Sequence, residues 1–401
     1  MSNNFDQLIN RRDTESAKWR IYPEEVLPLW VADMDFMSPE PVRRALREAA
    51  DHGIFGYPRG LYGVGTELPE YAAVIVERLR ERYAWAVEPQ DILWLPGIVV
   101  GLNVMGNMFR AQGGSMVVQP PVYTPILTAP DTATLTRREA PLARQAAGTY
   151  AVDWDQFTTA FQADTRAFIL CNPHNPVGRV FRRDELERLA EVCLARDVLI
   201  CSDEIHGDLL YKNLREGTQP PGGSPRHLPI ASLDPAIAQH TITFMAPSKT
   251  FNMPGLQASF AIIQNAELRQ RFQAARQAMV HGINVLGLVA MRAAYSEGQA
   301  WLDELLVYLE ANRDFAYDFV THELPGCNMA KPEGTYLAWI DCRDANLENP
   351  YEFFLNQAKV ALSDGAIFGT PGQGFVRLNF GCPHSLLEEA LNRMKQALLS
   401  R

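Results

Sequence analysis

Lysine is scarce in this chain. The six lysines are Lys18, Lys212, Lys249, Lys331, Lys359 and Lys395, within a combined Lys and Arg count of 37. An amine forms a Schiff base with an aldehyde and a guanidinium does not usefully do so, which gives each lysine of an arginine-rich protein particular interest. Positive charge is short overall. A net charge of −10 disfavours nucleic acid or an anionic membrane as the main partner. No apolar run approaches the roughly 18 residues of a membrane span. The start, Met1-Ser2-Asn3-Asn4-Phe5-Asp6, has neither a basic nor an apolar leader region, so no signal peptide is read and a cytoplasmic location is expected. The cysteines (Cys171, Cys193, Cys201, Cys327, Cys342 and Cys382) include no CxxC pair, and three lie in or beside apolar segments. Reduced thiols are expected rather than a disulfide frame or a zinc site. HExxH and internal repeats are absent. Gly60-Leu61-Tyr62-Gly63-Val64-Gly65 lacks the GxGxxG spacing and a preceding apolar strand, which argues against a nicotinamide dehydrogenase.

What is present describes a globular protein. The 401 residues are 47% hydrophobic and 21% charged, enough for two or three domains and a large core. Short apolar runs alternate with helical patterns from about residue 90 to 265. Strands are expected at Ile92 to Leu95, Met116 to Val118, Arg166 to Cys171, Val198 to Cys201, Thr241 to Met245 and Ala258 to Ile263. Helices are expected from Gly97 to Met108 and from Asp184 to Arg196. Strands buried on both faces and separated by helices imply an α/β domain with a mostly parallel sheet. Ligands of such sheets sit at the carboxyl ends of the strands, where Gly97, Tyr123, Asn175, Asp203 and Lys249 fall. Past residue 265, helical stretches at Glu267 to Met279 and Gln299 to Val320 precede strands at Thr335 to Ile340 and Phe375 to Phe380. A last helix runs from Ser385 to Leu399. This pattern predicts a smaller α+β domain, with the amphipathic segment Pro39 to Ala50 beside it. Gly222-Gly223-Ser224-Pro225 reads as a polar loop.

Lys249 stands out among the lysines. In Phe244-Met245-Ala246-Pro247-Ser248-Lys249-Thr250-Phe251-Asn252, an apolar run stops at a Ser-Lys pair and a loop follows. An amine placed after a buried strand is a candidate for covalent chemistry; the plain alternative is a lysine ending a strand in solvent. The others fit less well. Lys359 and Lys395 lie in helical patterns, Lys18 in a polar segment and Lys212 in a loop, and Lys331 precedes Pro332.

Four motifs occur in order: Asn175-Pro176-Val177-Gly178, Ser202-Asp203-Glu204-Ile205-His206, Ser248-Lys249-Thr250-Phe251-Asn252 and Arg377-Leu378-Asn379-Phe380. Together they resemble the fold-type I pyridoxal-phosphate (PLP) enzymes, the aspartate-aminotransferase-like group, over nearly the whole chain. Trp30-Val31-Ala32-Asp33-Met34-Asp35-Phe36 and the histidine at 206 resemble the MalY/PatB-type cystathionine beta-lyases within that group. The resemblance implies PLP as cofactor and the PLP-transferase fold, with a mostly parallel seven-stranded sheet in the large domain. The large PLP-binding domain is expected over 50–285, and the small one over 1–49 and 286–401.

The parts that PLP chemistry needs can be assigned in turn. Lys249 is the Schiff-base lysine and moves the Cα proton as general base. Asp203 is the anion that keeps the pyridine nitrogen protonated. By resemblance, Asn175 donates to the phenolate oxygen, Tyr123 stacks on the ring, and His206 stands where many aminotransferases place a tyrosine. The helix start at Gly97, Ile98 and Val99 suits a phosphate, with Ser248 adding a hydroxyl. Tyr57 matches a tyrosine that reaches the phosphate of a neighbouring subunit, which implies a homodimer with a shared active site. Arg377 presents a fork to the substrate carboxylate, and Ala32 is implied in substrate binding. Two departures stand out: Ala246 and Gln257 occupy positions where many relatives have serine and arginine, so the phosphate must lean on backbone amides.

Three functions use or reuse these parts. A carbon–sulfur β-lyase would cleave L-cystathionine or a cysteine S-conjugate to a thiol, pyruvate and ammonia. An aminotransferase would return the proton to the cofactor. A non-enzymatic binding or regulatory protein would need no such set as Lys249, Asp203 and Arg377. The subgroup resemblance favours the lyase. The expected partner is a small-molecule amino acid.

Overall fold

The computed structural model describes residues 3–59, 65–212, 227–277, 279–280 and 282–401. The loop at Gly222–Pro225, and all of the Gly60–Gly65 stretch but Gly65, therefore lie outside the described residues. A seven-stranded sheet organises the larger part. Its order is Ile92–Leu95, Ser259–Ile262, Thr241–Met245, Leu199–Asp203, Thr165–Cys171, Ser115–Val118 and Thr136–Glu139. All neighbours run parallel except Ser259–Ile262, which is antiparallel to both of its partners. The mostly parallel seven-stranded sheet is thus present.

The near-continuous apolar runs follow from burial on two faces. Side chains alternate between them: Leu93 and Leu95 join one core, with Leu102, Met105 and Phe272, while Ile92 and Trp94 join another, with Ile75 and Leu79. The helix Ile98–Asn107 is almost wholly apolar because it lies in that first core. The helix Arg183–Leu194 packs Leu186, Leu189 and Cys193 against Phe168, Leu170 and Ile200. The edge strand Thr136–Glu139 is Thr-Arg-Arg-Glu and exposes its side chains, so no apolar run announced it. Charged side chains on an edge also guard against pairing with another chain.

A second, antiparallel sheet orders Asn328–Met329, Leu337–Asp341, Phe375–Asn379 and Ser363–Asp364. The helices Gln299–Glu323 and His384–Leu399 cover it, giving the expected α+β part. The helix Val285–Glu297, which the sequence reading did not single out, packs against Glu40–His52. All six cysteines are buried and free of disulfides. Among the described residues, no helix is long and apolar enough to cross a membrane, and no metal-binding cluster occurs.

Residues Trp30 to Phe36 have no regular structure. Their carbonyls are met by side chains instead. Arg377 and Ser363 reach Trp30, Asn379 reaches Val31 and Asp33, Tyr336 and Lys249 reach Ala32, and Asn252 reaches Met34 and Phe36. A strip without a ladder thereby has its buried acceptors satisfied.

Candidate active site

Ile92–Leu95 and Thr241–Met245 are both antiparallel to the strand between them, so they point the same way. Gly97 and Lys249, which follow these strands, therefore emerge on one edge of the sheet, as does Asp203 at the end of Leu199–Asp203.

Lys249 lies on the short helix Pro247–Thr250, and its Nζ donates to the Ala32 carbonyl at 2.6 Å. Burial lowers its pKa to about 8; the charges of Asp33 and Asp203 oppose that shift and Arg377 adds to it. Roughly a fifth of the amine is then neutral, and hence nucleophilic, near physiological pH, far more than an ordinary lysine has. Asp203 is buried and accepts the Ile205 N–H at 3.2 Å. Burial pushes its carboxyl up to about 7; the Ile205 hydrogen bond and Lys249 pull the other way and Glu204 adds to the rise. A cation placed against this carboxylate would relieve that strain.

Arg377 is buried on Phe375–Asn379. Its Nη1 donates to Asn175 Oδ1 at 3.0 Å, and its Nη2 to the Trp30 carbonyl at 2.9 Å and Ser363 Oγ at 3.0 Å. Burial lowers it to about 10, which leaves it charged at neutral pH. Because Asn175 spends its oxygen on Arg377, its amide N–H₂ remains to donate elsewhere. Tyr123 precedes the helix Thr124–Thr132, and its backbone N–H bonds the Asn175 carbonyl at 3.0 Å. Burial, then the Asp203 charge, raises its hydroxyl. His206 is buried, and burial together with Lys249 and Arg377 lowers it to about 3, so the ring is neutral.

Gly97 caps the helix Ile98–Asn107 with an extended backbone, φ 176°, and an added Cβ there would meet nothing within 4 Å. The N–H groups of Ile98 and Val99 open that helix. Ser248 is half-buried beside Lys249, Ala246 is buried, and Gln257 is exposed with φ 51°. Lys249, Asp203, His206, Arg377, Asn175, Tyr123 and Ala32 are thus linked by hydrogen bonds or by mutual charge effects. Tyr57 is not among them: it is 93% exposed, with Ile54 and Phe55 also exposed nearby.

Residues 24–394 match the family described as aminotransferase class I and II. The chain belongs to that family. PatB, a cystathionine beta-lyase of Bacillus subtilis (strain 168), is 40% identical over 408 residues, covering 98% of this chain and 100% of PatB. Cystalysin from Treponema denticola, whose crystal structure contains PLP, aligns with a TM-score of 0.89 and 32% identity over 100% of both chains. The PLP-bound C–S lyase from Staphylococcus hominis gives 0.87 and 32% identity, covering 100% of this chain and 99% of the other.

The family's cofactor can be tested against the site. His206 Nδ1 and Arg377 Nε are buried without a hydrogen-bond partner among the described residues. Asp203 is a buried carboxyl that a cation would hold ionised, Lys249 is a low-pKa amine, and a Cβ added at Gly97 would meet nothing within 4 Å. Ring nitrogen, aldehyde and phosphate each find a matching feature, so the residues fit PLP.

The sequence reading missed several supports. Asn379 and Asn252 hold the Trp30 to Phe36 strip through their amides, although both lie inside motifs already singled out. Tyr336 joins Lys249 on the Ala32 carbonyl at 2.9 Å. Asp208, five residues past Asp203, is buried with Arg78, a residue of the helix Pro69–Tyr83 that carries Arg82 one turn further on. Two arginines at i and i+4, one of them on a buried helix face, were the available signal.

Proposed function

We propose that this chain is a PLP-dependent carbon–sulfur β-lyase that acts on L-cystathionine or a cysteine S-conjugate and releases a thiol, pyruvate and ammonia. The observation that carries the reading is the amine of Lys249, hydrogen-bonded to the Ala32 carbonyl and felt by the charges of Asp203 and Arg377, in a chain 40% identical to PatB. PLP supplies an aldehyde for the lysine and a ring that withdraws electrons from the substrate's Cα. Lys249 Nζ holds the cofactor and later takes the Cα proton. Asp203 keeps the ring nitrogen charged, Asn175 and His206 face the phenolate side, and Tyr123 stacks on the ring. The N–H groups following Gly97, at Ile98 and Val99, hold the phosphate with Ser248. Arg377 Nε and the Ala32 backbone orient the substrate carboxylate. The exposed Tyr57 reaches the phosphate of a second copy, making the working unit a cytoplasmic homodimer. The large domain spans 50–285, and the small one 1–49 and 286–401.

Purified protein should be yellow with PLP. Borohydride should fix the colour covalently, and Lys249→Ala should lose that link. A protein left colourless by added PLP would overturn the reading. An aminotransferase is the second reading, favoured by the family match over 24–394. Incubation with L-cystathionine without any keto acid separates the two. Pyruvate should accumulate; turnover only after a keto acid is added would point to transamination.

A further inference from the structure

The carboxylate of Asp208 is buried at the meeting point of three segments. Its Oδ2 accepts from Arg78 Nη2 at 2.7 Å and from Thr250 Oγ1 at 3.2 Å. Its Oδ1 accepts from the Tyr83 hydroxyl at 2.9 Å and pairs with Arg82 Nε at 2.8 Å. Burial works against the charge, but the two arginines hold the carboxyl well below the usual range. Asp208 is therefore ionised throughout the working pH range.

Thr250 is the residue after Lys249, and it is fully buried. Arg78 extends the grip by one more residue. Its guanidinium lies 5.6 Å from the centre of the Phe251 ring and 4.7 Å from that of Tyr295. The two residues following Lys249 are thus clasped by contacts separate from the one to Ala32. The Ala32 carbonyl holds the tip of the lysine side chain, and the Asp208 group holds the backbone at its root. A four-residue helix has too few internal hydrogen bonds to fix its own orientation, so side-chain anchors must do so.

We propose that Asp208 is a positioning residue for Lys249, acting through the Thr250 hydroxyl with Arg78 as its buried counter-ion. The inference rests on the reading of Lys249 as the PLP lysine. If the root of Lys249 is loosened, its amine gains water and moves toward the ordinary lysine value.

The test is a pH series of reductive methylation on the full-length protein without PLP, with the extent of modification at Lys249 read by peptide mass spectrometry. Thr250→Val changes no charge and leaves both arginines on Asp208. It should raise the midpoint from about 8 toward 10.5, by on the order of one pH unit, a tenfold change in neutral amine at fixed pH. Thr250→Ser keeps the hydroxyl and should restore the wild-type midpoint. Asp208→Asn should shift it in the same direction, and adding Thr250→Val to it should shift it no further, because both act through one contact. Should Asp208→Asn fail to fold, the Thr250 pair decides. An unchanged midpoint in Thr250→Val, or a failure of serine to restore it, would overturn the proposal. Failure of the cofactor reading shows separately, as wild-type protein that stays colourless with PLP.

Discussion

Two ion clusters, each with a buried centre, adjoin the contacts of Lys249, and they are built differently. On the Ala32 side, Arg11 bonds both Asp33 and Asp35, and Lys18, fully buried, lies 2.7 Å from Asp35 and 3.9 Å from Asp33. On the Thr250 side, Arg78, Arg82, Tyr83 and Thr250 all converge on the single carboxylate of Asp208. The first cluster is charge-balanced and redundant, since each cation touches both anions. The second sets one carboxylate against two arginines, with Gln299 Oε1 as their further acceptor and Asp303 adding its charge near Arg82. They also differ in reach. The Lys18–Asp35 contact spans 17 residues of chain, while Arg78–Asp208 spans 130 and Thr250–Asp208 spans 42. Each doubling of loop length adds only about 0.6 kcal/mol of closure cost. The important distinction is therefore that the Asp208 cluster needs three distant segments in place at once. One cluster shapes a strip of backbone; the other ties elements together.

The sharpest way to break this contrast is Asp208→Ala. It removes the carboxylate shared by the buried Arg78 and the half-buried Arg82, leaving Gln299 as their common acceptor, and a loss of about 3–5 kcal/mol is expected in urea unfolding. Asp35→Ala should cost less, about 1–3 kcal/mol, because Asp33 remains for both cations. Equal losses from the two substitutions would refute the claim of redundancy. A smaller effect concerns Lys249 itself. Under the proposed role its amine must be neutral to capture PLP, and burial lowers its pKa from 10.5 to about 8. The rate of colour formation should therefore rise with pH up to about 8 and then level, rather than climb toward 10.5. The smallest expected effect is that of Asp33→Asn. Asp33 is a negative charge that opposes the drop, so its removal should move the same midpoint further down, by a fraction of a unit. An upward shift would mean that Asp33 acts on Lys249 by packing and not by charge.

Much of the architecture was legible because the sheet is buried on both faces. Ile92–Leu95 and Thr241–Met245 match their expected bounds, since a short run of apolar and β-branched residues between turns leaves few alternatives. Thr136–Glu139 was not read, because an exposed edge strand carries no apolar signature. Val285–Glu297 was missed for the opposite reason: it is apolar on most sides and so lacks the polar stripe that marks a helix. In the site, a chemical need and a motif single out each of Lys249, Asp203, Asn175 and Arg377, and hydrogen bonds or charge effects link them in the structure. Asp208 and Asn379 were overlooked because they touch neither cofactor nor substrate in any assigned role. Their partners, Arg78 and the carbonyls of Val31 and Asp33, are distant in sequence, and only the folded chain makes them neighbours.

Gly97 carries one last implication. Its backbone is extended, a conformation open to any residue, and a methyl group there would strike no protein atom. Folding by itself therefore makes no demand for glycine at this position. Gly97→Ala should melt at the temperature of the parent protein. If it nonetheless holds PLP less well, the occupant of the space is what excludes a side chain there. That single substitution would then outline the guest by its shadow, with the host unchanged.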